Sequence, residues 1–470
     1  MQPLVCGSRF LPQPDQRRAP PTAAHARLAK GFDASKTFQQ SMNPTPEGSG
    51  AFAMHDANLI DAVLTTGFKV IRHQCPHVLW LKGVEVQRAI DGHVDRIFVW
   101  FHSDKSVKGE GSAWREGLLL LHYTDLTEGS SMAKVRLGLI GAGWFASRRH
   151  CPDIVDHVDA ELTALCRRNP EQLRTMANAF GNPACFTDYR ELLDSGLVDG
   201  VVICSPHHLH FEHAEAALQR DLPVLLEKPI TIEPKKGLAL ARMARERQLP
   251  LVVAQNPPYW SHCHFLRQQF RSGCMGELES ASLSFVGNSQ GVFGAEPIPD
   301  DIPGVVKPTL FRSELEQNGG GSLIDGGTHY LCELLWCTDL RVGEVTAQTN
   351  DSALESRTSM TLTLENGAMA TFLFVSNSRI YTKRQHGQYY GSRATALVRG
   401  VPFAVTVTAG DTSTTVGEAD LPPAPTPVGD LVGAIQHRNA VAMDAETAVH
   451  VVEIVQAAYR SARDGSRVQL

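Results

Sequence analysis

Three short stretches of this chain carry side chains suited to moving a proton and steadying a charge. Val224-Leu225-Leu226-Glu227-Lys228-Pro229 ends an apolar run in a charged pair and a proline. In open α/β sheets ligands bind beyond the carboxyl ends of the strands, so Lys228 would point into that crevice. Gly319-Gly320-Gly321-Ser322-Leu323-Ile324-Asp325-Gly326-Gly327-Thr328-His329 is the second stretch. Asp325 and His329 lie four residues apart, hence on one face of a helix. The glycines would leave space for a ligand, and an imidazole takes or gives a proton near neutral pH. The third stretch, Ser205-Pro206-His207-His208-Leu209-His210, follows another apolar run. Its histidines have no matching Cys or carboxylate set nearby, so no metal is expected there. No metal is expected at Arg72-His73-Gln74-Cys75-Pro76-His77 either.

A fourth element would hold an anion. Gly141-Ala142-Gly143-Trp144-Phe145-Ala146 follows the strand-like VRLGLI and opens a helical stretch. The first glycine permits a tight turn, the second lets backbone approach a pyrophosphate, and small Ala146 lets helix and strand pack. The helix N-terminus then favours the phosphate. The next strand ends in Leu165-Cys166-Arg167-Arg168-Asn169, with no acid to bond adenosine ribose hydroxyls. A guanidinium can grip a 2′-phosphate bidentately, so NADP is favoured over NAD, with Arg167 and Arg168 as its contacts.

These motifs need a scaffold, and the chain's texture supplies one. From residue 134 to about 255, short apolar runs (VRLGLI, ELTALC, GVVICS, PVLLE, PLVVA) alternate with helical segments. Such runs imply a parallel sheet covered on both faces. After residue 275 the strands alternate apolar and polar residues, as in LESASLSFVG and SMTLTLENGAMATFLFV, which suggests an open, mostly antiparallel sheet. The Pro-rich LPPAPTPVGD precedes two closing helices. The expected fold is therefore α/β: a doubly wound Rossmann sheet, then an α/β domain with an open sheet, plus an extra N-terminal segment. Residues 1–50 read as disordered. Residues 51–131 hold strand-like VLWLKGVEV, RIFVWFH and LLLLHY and form a small unit marginal by itself. Residues 132–255 form the dinucleotide domain and 256–470 the substrate and oligomerisation domain. MAKVRLGLIGAG, from Met132, reads like the natural beginning of a protein, so the segment before it is either an added module or an overlong gene start.

Composition narrows the function classes. With 470 residues, 43% hydrophobic and 20% charged, a stalk, coiled coil or disordered regulator is not expected. The formal charge of −6 gives no general footprint for nucleic acid. No run approaches the length of a membrane span, and the start of the chain lacks a signal's apolar core. Ten scattered cysteines without close pairs are expected to be reduced. The default location is the cytoplasm.

Together these motifs resemble the glucose–fructose oxidoreductase / inositol dehydrogenase / rhizopine catabolism (Gfo/Idh/MocA) family. The resemblance runs from Lys134 to Leu470. It rests on the loop at 141–146, the Ser205-Pro206 turn with His210, Glu227-Lys228-Pro229, the 319–329 stretch and the ending AAYRSARDGSRVQL. It implies a Rossmann domain followed by an α/β domain whose open sheet forms a homodimer or homotetramer interface. It also implies that Lys228 contacts the reacting hydroxyl and the nicotinamide ribose, and that Asp325 and His329 complete the acid/base group. His329 would take the hydroxyl proton, Lys228 would stabilise the alkoxide, and Asp325 would orient the histidine or hold substrate. Gly141, Gly143, Trp144, Phe145, Ala146, Ser205, Pro206, His210 and Glu227 fall at cofactor positions.

The sequence departs from the family's pattern at Gln255-Asn256-Pro257-Pro258-Tyr259-Trp260 and at His207. Asn256 could keep a place near the cofactor, while Tyr259 and Arg312 are substrate-side candidates. The expected activity is NAD(P)-dependent hydride transfer to or from a secondary hydroxyl or carbonyl of a sugar, cyclitol or related polyol. Two alternatives share the fold. One is a glycosidase that retains NAD and works by oxidation and elimination. The other is a non-catalytic dinucleotide-binding sensor, which would not need Lys228, Asp325 and His329 together.

Overall fold

The computed structural model describes residues 79–88, 94–103, 115–122, 133–294, 305–350 and 353–470. The stretch 1–50, the Arg72–His77 segment and Met132 lie outside the described residues. The chain divides into two compact units, Met1–Ser130 and Ser131–Leu470. In the first, β1 (Leu79–Arg88), β2 (Val94–Ser103) and β3 (Arg115–His122) form an antiparallel sheet in that order. Trp80 stands opposite His102, and Trp100 opposite Leu118.

The second unit opens with a doubly wound domain. Its elements are β4 (Val135–Ile140), α1 (Trp144–Arg148), α2 (His150–Val155), β5 (Ala160–Cys166), α3 (Pro170–Ala179), β6 (Ala184–Phe186) and α4 (Tyr189–Leu193). They continue with β7 (Gly200–Ile203), α5 (His210–Leu218), β8 (Val224–Glu227), α6 (Pro234–Arg247) and β9 (Leu251–Ala254). The strands pair in parallel in the order β6-β5-β4-β7-β8-β9. β6 is too short to be an apolar run and is held by its pairing to β5. Both faces are buried, which is why these strands are apolar throughout. Leu137, Leu139, Val202, Leu225 and Val252 pack on one face, while Ile203, Val224, Leu226 and Val253 pack on the other.

A second sheet carries the other half of the site. Its elements are α7 (Ser261–Arg271), β10 (Leu278–Val286), α8 (Leu315–Asn318), α9 (Thr328–Thr338), β11 (Val342–Thr349), β12 (Arg357–Leu364), β13 (Met369–Val375) and β14 (Arg384–Gly391). β15 (Thr395–Gly400), β16 (Ala404–Ala409), β17 (Thr412–Gly417), α10 (Pro427–His437), α11 (Ala445–Asp464) and β18 (Val468–Gln469) complete it. The order is β17-β16-β15-β14-β10-β13-β12-β11-β18. Only β10 and β13 run parallel, so the sheet is open and mostly antiparallel. Thr358, Met360, Leu362 and Leu364 turn inward along β12 while their neighbours face out, the period of two that a one-sided sheet requires.

The two domains share elements. Val428, Leu431 and Val432 of α10 pack against Leu137 and Leu225, so α10 covers one face of the first sheet although it comes late in the chain. No described helix is long and apolar enough to cross a membrane.

The glycine run at 319–321 serves packing and not ligand access. A Cβ on Gly319 would meet Ile232 at 2.6 Å, and one on Gly320 the Tyr459 hydroxyl at 2.3 Å. On Gly321 it would meet both the backbone nitrogen and a carboxylate oxygen of Glu355 at 2.3 Å. Glu355 accepts from Gly321 N at 2.8 Å, Leu323 N at 2.7 Å and Tyr459 OH at 3.1 Å. This fastens the entry to a π-helical turn, Leu323–Gly327, that leads into α9. Gly321→Ala should therefore cost roughly 1–3 kcal/mol or more, as overpacking does. Gly417→Ala, with nothing near its Cβ position, should stay within about 0.5 kcal/mol. Urea unfolding of the two variants checks this, and equal midpoints would refute the packing role.

Candidate active site

A cleft of about 1160 Å³ opens where β4, β5, β7 and β8 end, larger than the ~300–1,000 Å³ of an ordinary small-molecule site. Gly141, Gly143, Trp144, Phe145, Arg167 and Arg168 line one part, and Lys228, Asn256, Arg312, Asp325 and His329 line another. The position follows from topology: β5-β4-β7 is where the sheet order reverses, the usual place for a ligand in this architecture.

The phosphate loop is built as its residue types require. Gly141 has φ +82°, and a Cβ there would sit 2.4 Å from Ser205 N, so only glycine fits between the β4 and β7 turns. Gly143 starts α1 without a side-chain cap, and a Cβ there would meet nothing closer than 3.5 Å. The first N–H groups of that turn are thus left for an anion. Ala146 is wholly buried against the sheet. Arg167 donates Nη1 to the Ala142 carbonyl at 2.6 Å and Nη2 to Gln172; its Nε is buried without a partner. Burial lowers its pKa from the ordinary guanidinium value. Arg168 is exposed on the same rim, with no hydrogen bond or ion pair among the described residues. An uncapped turn, a glycine cradle and an unspent guanidinium nitrogen fit a dinucleotide.

Asp325 is the centre of the other part. Its Oδ1 accepts from Arg312 Nε at 2.7 Å and from Lys228 Nζ at 3.1 Å, and Lys228 also donates to the Asp325 carbonyl. His207 Nε2 stands 3.6 Å from the same oxygen, while its Nδ1 lies 3.1 Å from the Asn318 carbonyl. Burial alone would raise the Asp325 pKa, but Arg312, Lys228 and His207 hold it well below the carboxylate range. Arg312 is the expected substrate-side candidate, and its edge in the cleft is already joined to this carboxylate. His207 is a site residue that sequence reasoning passed over after rejecting a metal. Its position in the turn four residues beyond β7 was the available signal.

His329 is separate from Asp325. The wider π turn spreads the two side chains, and no hydrogen bond joins them. Asn256 meets the ring instead, with its N 3.4 Å from Nδ1 and its Nδ2 3.4 Å from Nε2. These long contacts leave the imidazole able to exchange partners, as often before substrate binds. Burial first and Lys228 second push its pKa well below the usual imidazole value.

Several expected contacts are committed elsewhere. Tyr259 donates its hydroxyl to Asp430 of α10 at 2.8 Å and is absent from the cleft lining, which corrects its assignment to substrate. Glu227 Oε1 lies 2.8 Å from His150 Nε2, and Oε2 accepts from Lys228 N at 3.2 Å. His210 is wholly buried. Its ring nitrogens lie 2.7 Å from the Pro229 carbonyl and 2.9 Å from that of Ser205. Ser205 Oγ is 3.0 Å from His213 Nδ1. These residues tie the turns after β7 and β8 together, and Pro206 lines the cleft between them.

Comparisons with known proteins agree with this architecture. Residues 135–255 match the oxidoreductase family with the NAD-binding Rossmann fold, and residues 264–397 match the GFO/IDH/MocA C-terminal domain. A dTDP-3,4-didehydro-2,6-dideoxy-alpha-D-glucose 3-reductase from Saccharopolyspora spinosa is 28% identical over 274 residues, 56% of this chain and 74% of that protein. The D-glucoside 3-dehydrogenase of Escherichia coli K12 is 28% identical over 197 residues, 42% of this chain and 52% of its own. The chain thus spans 74% and 52% of the lengths of these two relatives. Among solved structures, aldose-aldose oxidoreductase from Caulobacter crescentus, complexed with glycerol, superposes with TM-score 0.61 at 20% identity. That alignment covers 72% of this chain and all of the other. The WlbA dehydrogenase from Bordetella pertussis, in complex with NADH and UDP-GlcNAcA, gives 0.60 at 23% identity over 72% of this chain and 99% of its own. At such identities the structures speak for the fold. With both domains matched in order across more than half of its length, the chain belongs to the Gfo/Idh/MocA oxidoreductase family.

Proposed function

We propose that this protein transfers hydride between a nicotinamide dinucleotide, NADP in preference to NAD, and the C3 hydroxyl or ketone of a glucopyranose-type sugar. One observation carries the reading: Lys228, bonded to Asp325, and a separate neutral His329 face the same cleft as an uncapped glycine loop. The position on the sugar rests on relatives named for it, the two proteins above and a glucose-6-phosphate 3-dehydrogenase from Bacillus subtilis.

The bound nicotinamide would supply the hydride acceptor or donor. The rest falls to the chain. Lys228 holds the substrate oxygen and steadies negative charge on it, being a cation where charge develops. His329 takes the hydroxyl proton in oxidation and returns it in reduction. Asp325 fixes Lys228 and Arg312 and stays ionised. Arg168 is the free cation for a 2′-phosphate, whereas Arg167 braces the phosphate loop. The outward face of the second sheet, with Met369, Leu373, Tyr390 and Leu397 exposed, supports a homodimer or homotetramer.

The direct test is absorbance of reduced nicotinamide with NADP or NAD over glucosides, glucose phosphates, nucleotide sugars and cyclitols. A glucoside should be turned over and its 3-deoxy analogue should be inert; equal rates with both would remove C3. Lys228→Met should lower kcat by roughly 10²–10³, the usual loss of one preorganised charge, and an unchanged kcat would take the lysine out of the chemistry.

The pH profile follows from sign. Oxidation needs neutral His329, so activity falls as pH drops through its pKa. Because that pKa is lowered, the acid limb of kcat/KM should lie below the ~6.5 of an ordinary histidine. A limb above that value would contradict the assignment.

The two arginines separate by cofactor. Arg168→Ala should weaken NADP by roughly 10–100-fold, as loss of a charged hydrogen-bond pair does, and leave NAD nearly untouched. Arg167→Ala should weaken both. Titration of each variant with each dinucleotide decides, and an unchanged ratio in Arg168→Ala would refute the 2′-phosphate contact.

A further inference from the structure

Behind the cleft, α7 and α9 bring three ligand-type side chains together with no role in the reading above. His262 and Cys263 stand in the first turn of α7, and Glu333 lies one turn beyond His329 on α9. All three are buried, His262 and Glu333 at 1% exposure and Cys263 at none. His262 Nε2 is 3.3 Å from Cys263 Sγ and 3.6 Å from Glu333 Oε2. The three donor atoms lie within 4.8 Å of one another.

Hydrogen bonding alone leaves the buried Glu333 carboxylate without a compensating cation. The Cys263 thiol can donate its S–H to His262 Nε2, but at 3.6 Å that nitrogen is too far for a hydrogen bond to Glu333. Glu333 has only neutral donors besides: Tyr389 OH to Oε1 at 2.8 Å and Gln385 Nε2 to Oε2 at 2.9 Å. Among the described residues no lysine or arginine is within ion-pair distance of it. A carboxylate so placed needs a compensating positive charge.

We infer that His262, Cys263 and Glu333 form a site for a divalent metal ion of the zinc class, one that is structural and separate from the dinucleotide cleft. Zinc takes imidazole nitrogen, thiolate and carboxylate at about 2.0–2.3 Å in a tetrahedron, which puts neighbouring donors roughly 3.3–3.7 Å apart. Two of the three separations already have that length. One thiolate, one carboxylate and a neutral imidazole also cancel the ion's charge, which suits a buried site. Binding balances as Zn²⁺ plus the Cys263 thiol giving a zinc thiolate and one released proton.

The surroundings hold the donors in place, as outer-shell groups of metal sites do. The His262 ring stacks on Phe403 with centroids 3.9 Å apart and 12° between planes, and on Trp260 at 5.3 Å and 28°. Tyr389 and Gln385 fix both Glu333 oxygens. Cys337, the next turn of α9, places its Sγ 3.6 Å from the Cys263 carbonyl.

The test uses the full chain, expressed with added zinc sulfate, purified without chelator and dialysed. Elemental mass spectrometry should find about one zinc per chain. Retention should fall at least tenfold in Cys263→Ser and Glu333→Gln and stay level in Cys185→Ser and Cys274→Ser, whose thiols are exposed. Wild type without zinc, or Cys263→Ser with as much as wild type, overturns the site. Should the buried substitutions prevent folding, X-ray absorption on the zinc of the unaltered chain still decides. One or two sulfur neighbours with nitrogen and oxygen support it, and a shell of nitrogen and oxygen alone overturns it.

Discussion

The buried carboxylate of Asp325 is the interaction on which the site's geometry rests. It takes Arg312 at 2.7 Å and Lys228 at 3.1 Å, and so joins the end of β8 to the π turn before α9. Removing such a charge while leaving its partners typically costs about 3–5 kcal/mol, because uncompensated charge remains in a poorly solvated place. The same pair fixes where the lysine can be. Everything around it is arranged to keep the π turn still: Glu355 fastens its entry, and the glycines let Ile232 and Tyr459 close upon it.

The phosphate side shows the same economy of contact with different residues. Gly141 lets β4 and β7 turn against each other, and Arg167 closes the loop from β5. Glu227, next to the lysine, reaches back to His150 on α2. The Glu-Lys pair at the end of β8 therefore divides its work, with one charge bracing the phosphate half and the other facing the substrate half. Arg167 and Arg168 divide similarly, one inward and one outward.

Much of this was legible in the sequence because its signals are local. Apolar runs between helices mark a sheet buried on both faces, alternation marks the one-sided second sheet, and Gly141 and Lys228 stand where strands end. What was not legible depends on distant partners. The three glycines of 319–321 look like room for a ligand until Ile232, Tyr459 and Glu355 are seen against them. Tyr259 looks like a substrate contact until Asp430 of α10 takes its hydroxyl. α10 reads as the end of the second domain, yet its apolar face closes the first. The four-residue spacing of Asp325 and His329 suggested one helical face, and only the π turn separates them.

That separation bears on which residue can carry the proton. A carboxylate held ionised by an arginine and a lysine is a poor base, since protonating it would free both cations into a buried site. His329 is lowered instead by burial and by Lys228, which leaves it neutral and able to accept. Were Asp325 hydrogen-bonded to His329, it would raise the imidazole's pKa and compete for it with Lys228. With Asp325 turned to the cations and Asn256 on the ring, the charge-holding task and the proton-holding task sit on different groups. Under the proposed chemistry, the histidine can then change state without breaking the contacts of Asp325 with Arg312 and Lys228.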